Sequence, residues 1–268
     1  MVGGTFSFLI MRSIQRFILD TDRPFRNAQR YAPLYIFFVG FLISLVTLFK
    51  GLKHLEIELN IPQSFLVALA FGSIIALIGR FLIDRLRMKE AESVHDQFTQ
   101  IEKIFGVMML FTACAMAFAH GSNDVANGIG PMAAVVSVVQ SGGEMAQKSA
   151  LPLWILVVGG CGIILGLATF GYRVIQTIGT KITELVPTRG FSAELAAAAT
   201  VVLASRTGIP VSTTHIAVGA VVGVGLARGI GALDLRVIGG IFMSWVITLP
   251  VGALLSIFFF FFFRGVFL

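Results

Sequence analysis

Residues 117–140 read AFAHGSNDVANGIGPMAAVVSVVQ. One carboxylate, two asparagines, three glycines and a proline interrupt an otherwise apolar run. Asp124 stands where contact with lipid is excluded, because a charged side chain near a helix centre costs roughly 2.5–3.5 kcal/mol on insertion scales. Gly121, Gly128, Gly130 and Pro131 each weaken or break a helix. The stretch therefore predicts a helix broken at membrane depth. Such a break is tolerated only where protein encloses it or it lines a wet cavity. Broken helices with polar turns are a way to build ion and anion sites inside a membrane. The plain alternative is an aqueous loop between two short helices.

Working outward, composition sets the class. Of 268 residues, 56% are hydrophobic and 13% charged. A soluble domain of this length needs more polar surface than that, so the chain reads as a polytopic, all-α membrane protein. The formal charge of +6 is not a nucleic-acid signal, because the basic residues lie in segments beside apolar spans. It reads as positive-inside topology. Cys114 and Cys161 sit far apart in apolar segments and read as packed thiols. No secretory cleavage site follows the apolar first ten residues.

Residues 1–11 read as the tail of a membrane helix that starts before Met1. Residues 12–30 carry Arg12, Arg16, Arg23, Arg26 and Arg30, with Pro24 arguing against one continuous helix. Spans follow at 32–49 and 64–83, each long enough to cross at ~1.5 Å per residue. Tyr31 and Tyr35 are placed at the start of the first span, where amphipathic rings favour the interface. A polar turn, 50–63, joins the two. The hydrophilic stretch 84–103 carries Arg85, Arg87, Lys89 and Lys103 and reads as a surface helix. Two crossings separate it from 12–30, so both lie on one side, the cytoplasm by the positive-inside rule.

Beyond it come apolar segments at 104–120 and 123–140, split by the polar turn, and a span at 151–174. The glycines at 159, 160, 162, 166 and 171 suggest close helix packing there. Residues 177–190 read as interfacial. Residues 191–205 and 210–227 are each short for a full span, and 237–263 is the last span. Its phenylalanine run, 258–263, reads as a lipid-facing end.

The stretch SRTGIPVSTTHIAVGA, 205–220, is the second polar constellation. Pro210 suits a first helical turn, and Ser212, Thr213 and Thr214 follow at once. Hydroxyls, unpaired N–H groups and the positive end of a helix dipole then coincide, which makes an anion seat. Any single hydroxyl there reads equally as a bond to its own backbone one turn back. Gly219, Gly223 and Gly225 form a smooth face for close packing. Glu194 opens a short apolar segment, either as a dipole partner or as a buried functional acid. His120 and His215 each abut a polar turn and read as hydrogen-bonded packing residues, with a proton shuttle the minority reading. A cation would favour Asp124 and unwound carbonyls, and an oxyanion the N–H groups and hydroxyls. Together they suggest cation-coupled uptake of a small oxyanion.

At these residues the chain resembles the inorganic phosphate transporter family. The hallmark G-A-N-D-V-A-N stands as Gly121-Ser122-Asn123-Asp124-Val125-Ala126-Asn127, and P-V-S-T-T-H as Pro210 to His215. The stretch GFSAELAAAATVVLAS, 190–205, is also similar to the family. The resemblance implies a secondary transporter built from two inverted repeats, with broken helices or re-entrant hairpins. It implies symport of inorganic phosphate with sodium or proton across the cytoplasmic (inner) membrane, with no catalysis and no cofactor or resident metal. It implies that Asn123, Asp124, Asn127, Ser212, Thr213 and Thr214 contact phosphate, with Asp124, Asn127 and Glu194 as candidates for the coupling ion. The family motif occurs twice in family members and once here. Residues 1–103 then correspond to scaffold helices and 104–268 to one repeat carrying both motifs. The expected partners are phosphate, lipid, and a second copy in a dimer or a missing N-terminal repeat. The rival readings are a sulfate permease on the same scaffold, a non-transporting remnant that needs a partner, and an intramembrane aspartyl protease. The last would require a second carboxylate beside Asp124.

Overall fold

The computed structural model describes residues 1–48, 60–85, 94–142, 152–207, 209 and 211–267. Most of the expected turn at 50–63, the 86–93 part of the hydrophilic stretch, Gly208 and Pro210 lie outside these described residues. The described chain is helical, without strands. Its helices are α1 (Val2–Ile14), α2 (Pro24–Val46), α3 (Ile61–Arg85), α4 (Val94–Gln140), α5 (Leu153–Gln176), α6 (Pro187–Thr207), α7 (Thr213–Arg228) and α8 (Leu235–Phe267). Among the described residues five helices, α2 to α5 and α8, are long and apolar enough to cross a membrane. The polytopic helical bundle expected from composition is what forms.

Local chemistry sets the ends. Pro24 opens α2, where a missing N–H is harmless and the fixed φ suits the helix. The expected interruption at Pro24 is thus a helix start. Asp234 caps α8, its Oδ1 accepting from the N–H groups of Arg236 at 2.9 Å and Val237 at 3.1 Å. Gly229 ends α7 at φ +110°, a conformation that side chains with a Cβ rarely adopt.

The two larger buried clusters organise the packing. In the first, Ile14, Phe25 and Tyr35 meet Phe105 and Phe191. Tyr35, expected at the membrane interface, is instead 8% exposed, with its hydroxyl 2.8 Å from Ser13 Oγ and its ring edge-on to Phe191. An aromatic with a polar tip is stable in a core once that tip finds a partner. In the second cluster Met11 packs with Ala193, Ala196, Val218, Val221 and Val224. Both clusters draw residues from each side of position 103.

The glycines of α7 pack as expected. A Cβ on Gly223 would strike the Gly4 carbonyl and Ser7 Oγ, and Ser7 Oγ donates to the Ala220 carbonyl at 2.6 Å. α1 thereby lies in backbone contact with α7. The α5 glycines differ from expectation. Gly159 abuts Ile129, but Gly160, Gly162 and Gly166 face open space, and Gly171 meets only Leu167 of its own helix. Small residues permit close approach without compelling it. The thiols depart as well: Cys114 and Cys161 are both exposed rather than packed. The phenylalanines of 258–263 are exposed throughout, as a lipid-facing end requires.

The largest departure is in α4. The expected split at the polar turn is absent, and one helix of 47 residues runs through Gly121, Asp124 and Pro131. Each glycine weakens a helix by only about 1 kcal/mol. The polar side chains find partners on and just before α7 without unwinding the backbone that carries them. The chain does break between α6 and α7, whose packed pair forms the short hairpin expected of 191–227.

Candidate functional site

α7 opens at Thr213, with Ser212 as its N-cap; Ser212 Oγ accepts from the His215 N–H at 3.3 Å. Thr213 and Thr214 occupy the first turn, where backbone N–H groups have no acceptor one turn behind. The positive end of the α7 dipole is therefore presented at these residues.

α4 delivers Asn123 and Asp124 to the same place. Thr213 Oγ1 donates to Asp124 Oδ1 at 2.9 Å, and Asn123 Nδ2 donates to the Val211 carbonyl at 3.0 Å. Asn123 Nδ2 also lies 3.4 Å from Asp124 Oδ1. One turn earlier, His120 Nε2 lies 2.6 Å from Asp124 Oδ2. Both carboxylate oxygens are thus engaged, one by an imidazole and one by a hydroxyl. Asn123 and Thr213 are buried, whereas the Asp124 side chain is 36% exposed. The acid is held by buried neighbours and remains reachable.

The other expected residues divide into two groups. Thr214 and Ser212 are both exposed, at the start of α7 on either side of buried Thr213. Asn127 lies one turn beyond Asn123, and Pro131 has no N–H to offer the Asn127 carbonyl. That oxygen is left to other donors or to a cation. Glu194 lies elsewhere: its Oε2 accepts from Thr112 Oγ1 at 2.6 Å. Thr112 is twelve residues before Asp124 on α4, about 18 Å along the helix. Glu194 therefore does not join the Asp124–Thr213 cluster. His215 packs on Trp245, their ring centroids 3.9 Å apart, in keeping with a packing role.

Three partnerships go beyond the expected set. His120, expected as a hydrogen-bonded packing residue with no partner named, stands four residues before Asp124, a spacing that puts both on one face of any continuous helix. An expected break between them hides that pairing. Thr112 as the partner of Glu194 has no sequence signal. Nor has Glu102, whose two carboxylate oxygens accept from Thr188 N–H at 2.9 Å and Thr188 Oγ1 at 2.8 Å, tying α4 to the start of α6.

The arrangement offers a carboxylate and a loose carbonyl oxygen to a cation, and hydroxyls with a helix N-terminus to an anion. Among the described residues no second carboxylate pairs with Asp124, as an aspartyl dyad would need.

Comparison with known proteins supplies the family. The profile of the Phosphate transporter family matches residues 1–256. A Haemophilus influenzae protein named "Putative phosphate permease" is 46% identical over 99% of this chain and 63% of its own length. The Arabidopsis thaliana "Inorganic phosphate transporter 2-1, chloroplastic" is 38% identical over 96% of this chain and 46% of its own. A solved structure named "The sodium-dependent phosphate transporter" superposes with a TM-score of 0.79 at 35% identity, over 93% of this chain and 60% of that one. The chain spans about three fifths of the length of the first of these relatives and of the solved structure. With a family match over nearly all of its residues and both motifs joined in space, this chain is a multi-pass membrane protein that belongs to the phosphate transporter family.

Proposed function

We propose that this chain carries the substrate- and cation-handling part of a phosphate symporter of the cytoplasmic membrane, acting as a transporter rather than an enzyme. The observation that carries this reading is the Thr213–Asp124 hydrogen bond, which joins motifs 89 residues apart. Sodium is the coupling ion we favour over the proton. Support comes from the similar solved transporter, which is named as sodium-dependent, and from the oxygen-only ligands that Asp124 and the Asn127 carbonyl offer. Residues 104–268 form the repeat that carries both motifs, and a second copy or a further repeat completes the transport path.

The geometry suggests how cation and anion are linked. While Thr213 donates to Asp124, its proton is unavailable to an anion. A cation on Asp124 competes with that hydrogen bond and neutralises a charge that repels phosphate. The hydroxyls of Thr213, Ser212 and Thr214 and the first N–H groups of α7 can then receive the anion. Asn123, bonded to the Val211 carbonyl, holds the two elements together, while Asn127 offers further oxygen and amide contacts. Glu194, whose partner Thr112 stands about 18 Å from Asp124 along α4, is assigned a second cation position rather than a contact to the same phosphate.

Radiolabelled phosphate uptake into proteoliposomes, under sodium or proton gradients applied separately, tests this reading. Sodium-driven uptake that Asp124→Asn abolishes is the expected outcome. Unchanged coupled uptake by that variant sinks the role of Asp124. Stronger competition by sulfate than by unlabelled phosphate turns the reading to a sulfate permease.

A further inference from the structure

A second polar site lies far in sequence from these motifs. α2 and α3 pack antiparallel, Gly79 abutting Ile36 and Gly40 abutting Ile75. This register sets the end of α3 beside the start of α2. Between them opens a cavity of about 680 Å³ lined by Arg23, Arg26, Arg30 and Arg80, with Asn27 and Asp84. Asp84 Oδ2 lies 3.9 Å from Arg80 Nε. Arg23, Arg26 and Arg30 have no carboxylate partner among the described residues.

Two independent features ask for an anion here. One is the excess of guanidinium groups over the single acid in the lining. The other is α2 itself: its N-cap makes no side-chain hydrogen bond, its first turn holds no acid, and Pro24 begins it. The helix therefore turns its positive end, with no acid in its first turn, toward the same space, where Arg23, Arg26 and Asn27 join the lining. Guanidinium groups bind phosphate oxygens in pairs, with geometry a lysine cannot match. The ends of two apolar helices meet here, so the cavity lies at headgroup depth. Basic pockets between membrane helices at that depth suit anionic headgroups.

We propose that this arginine-lined cavity is a binding site for a phosphate-bearing anion. It shares no residue with the Asp124–Thr213 cluster, and the proposal stands whether or not the chain transports phosphate. The ligand chemistry is a phosphate monoanion or dianion held by Arg26 and Arg30, with Arg23 and Arg80 at its flanks. Two sources carry that chemistry: the headgroup of an anionic lipid and free inorganic phosphate.

The test uses the purified full chain in detergent, as wild type, as Arg26→Gln/Arg30→Gln, and as Arg12→Gln/Arg16→Gln. The last pair lies outside the cavity lining and controls for bulk charge. Native mass spectrometry with mixed micelles counts retained dioleoylphosphatidylglycerol against dioleoylphosphatidylcholine. Equilibrium dialysis with labelled inorganic phosphate forms the second arm. Circular dichroism confirms that each variant keeps its helices.

We expect preferential retention of phosphatidylglycerol by wild type, weakened at least about tenfold by removing two arginines, with the control pair unchanged. That result identifies a lipid headgroup. Loss of phosphate binding in the cavity variant alone, with lipid retention unaltered, identifies free phosphate. Equal retention of both lipids together with phosphate binding that is absent or indifferent to Arg26 and Arg30 overturns the site. An equal loss in the control pair overturns it too, because bulk charge would then account for everything.

Discussion

Asp124 shows how a single charged residue becomes tolerable inside a membrane protein. Its cost is met by pairing, with His120 on one oxygen and Thr213 on the other. A hydrogen bond to a charged group contributes about 1.5–3 kcal/mol. Thr213→Val removes such a bond while keeping the side chain's shape. We expect sodium-coupled phosphate uptake to fall roughly ten- to a hundredfold in that variant, and Thr213→Ser to retain most of it, as measured by initial rates in proteoliposomes. Equal rates for the valine variant and wild type would show that this hydroxyl is structural only. The pairing of His120 with Asp124 is legible in the spacing alone once the helix is continuous. The pairing of Asp124 with Thr213 is not, because nothing local to either residue says that α7 comes to rest against α4.

At the scale of elements, two contacts decide how the short helices sit. Gly223 lets α7 touch the backbone of α1, where an added Cβ would meet the Gly4 carbonyl and Ser7 Oγ. Backbone cannot swing aside as a side chain can, so Gly223→Ala should destabilise by at least the roughly 1–3 kcal/mol typical of overpacking. Gly162→Ala meets open space and should be neutral or slightly stabilising, since alanine favours helix over glycine by about 1 kcal/mol. Thermal unfolding of the two variants in one detergent compares them directly, and equal melting temperatures would contradict the α1–α7 contact. The start of α6 is held by Glu102, which accepts twice from Thr188. Glu102→Gln keeps the size but removes the charge at a helix N-terminus. A loss of about 1 kcal/mol is expected, read by denaturant titration. No change would mean that Thr188 is held by other contacts.

At the scale of the molecule, α5 and α8 show apolar side chains to the outside over nearly their whole length. In water such surface would aggregate; in a bilayer it is solvated by lipid tails. Cys114 on α4 and Cys161 on α5 both lie on outward surfaces. Both should therefore resist a membrane-impermeant maleimide in intact proteoliposomes and react after the membrane is dissolved in sodium dodecyl sulfate. Rapid labelling of Cys161 in the intact bilayer would place water, and not lipid, against α5. The arginine cavity at the other extreme of polarity faces the membrane edge. Both surfaces follow from a bundle whose outer solvent changes from hydrocarbon to headgroup along each helix.

The sequence alone determined the class, the positions of the apolar segments and the identity of both polar constellations. Composition limits how much surface can meet water, and runs of apolar residues are local, so both can be read without a fold. The same locality makes the polar turn at 121–127 read as a break, since glycine, proline and acid each disfavour a membrane helix taken by itself. Only the tertiary structure decided that α4 stays continuous there, because Val211 and Thr213 supply the partners that unwinding would otherwise have to supply. It likewise moved Tyr35 from the interface to the core and separated Glu194 from Asp124. Each of those outcomes depends on which helix lies alongside, a property of packing that residue spacing does not encode.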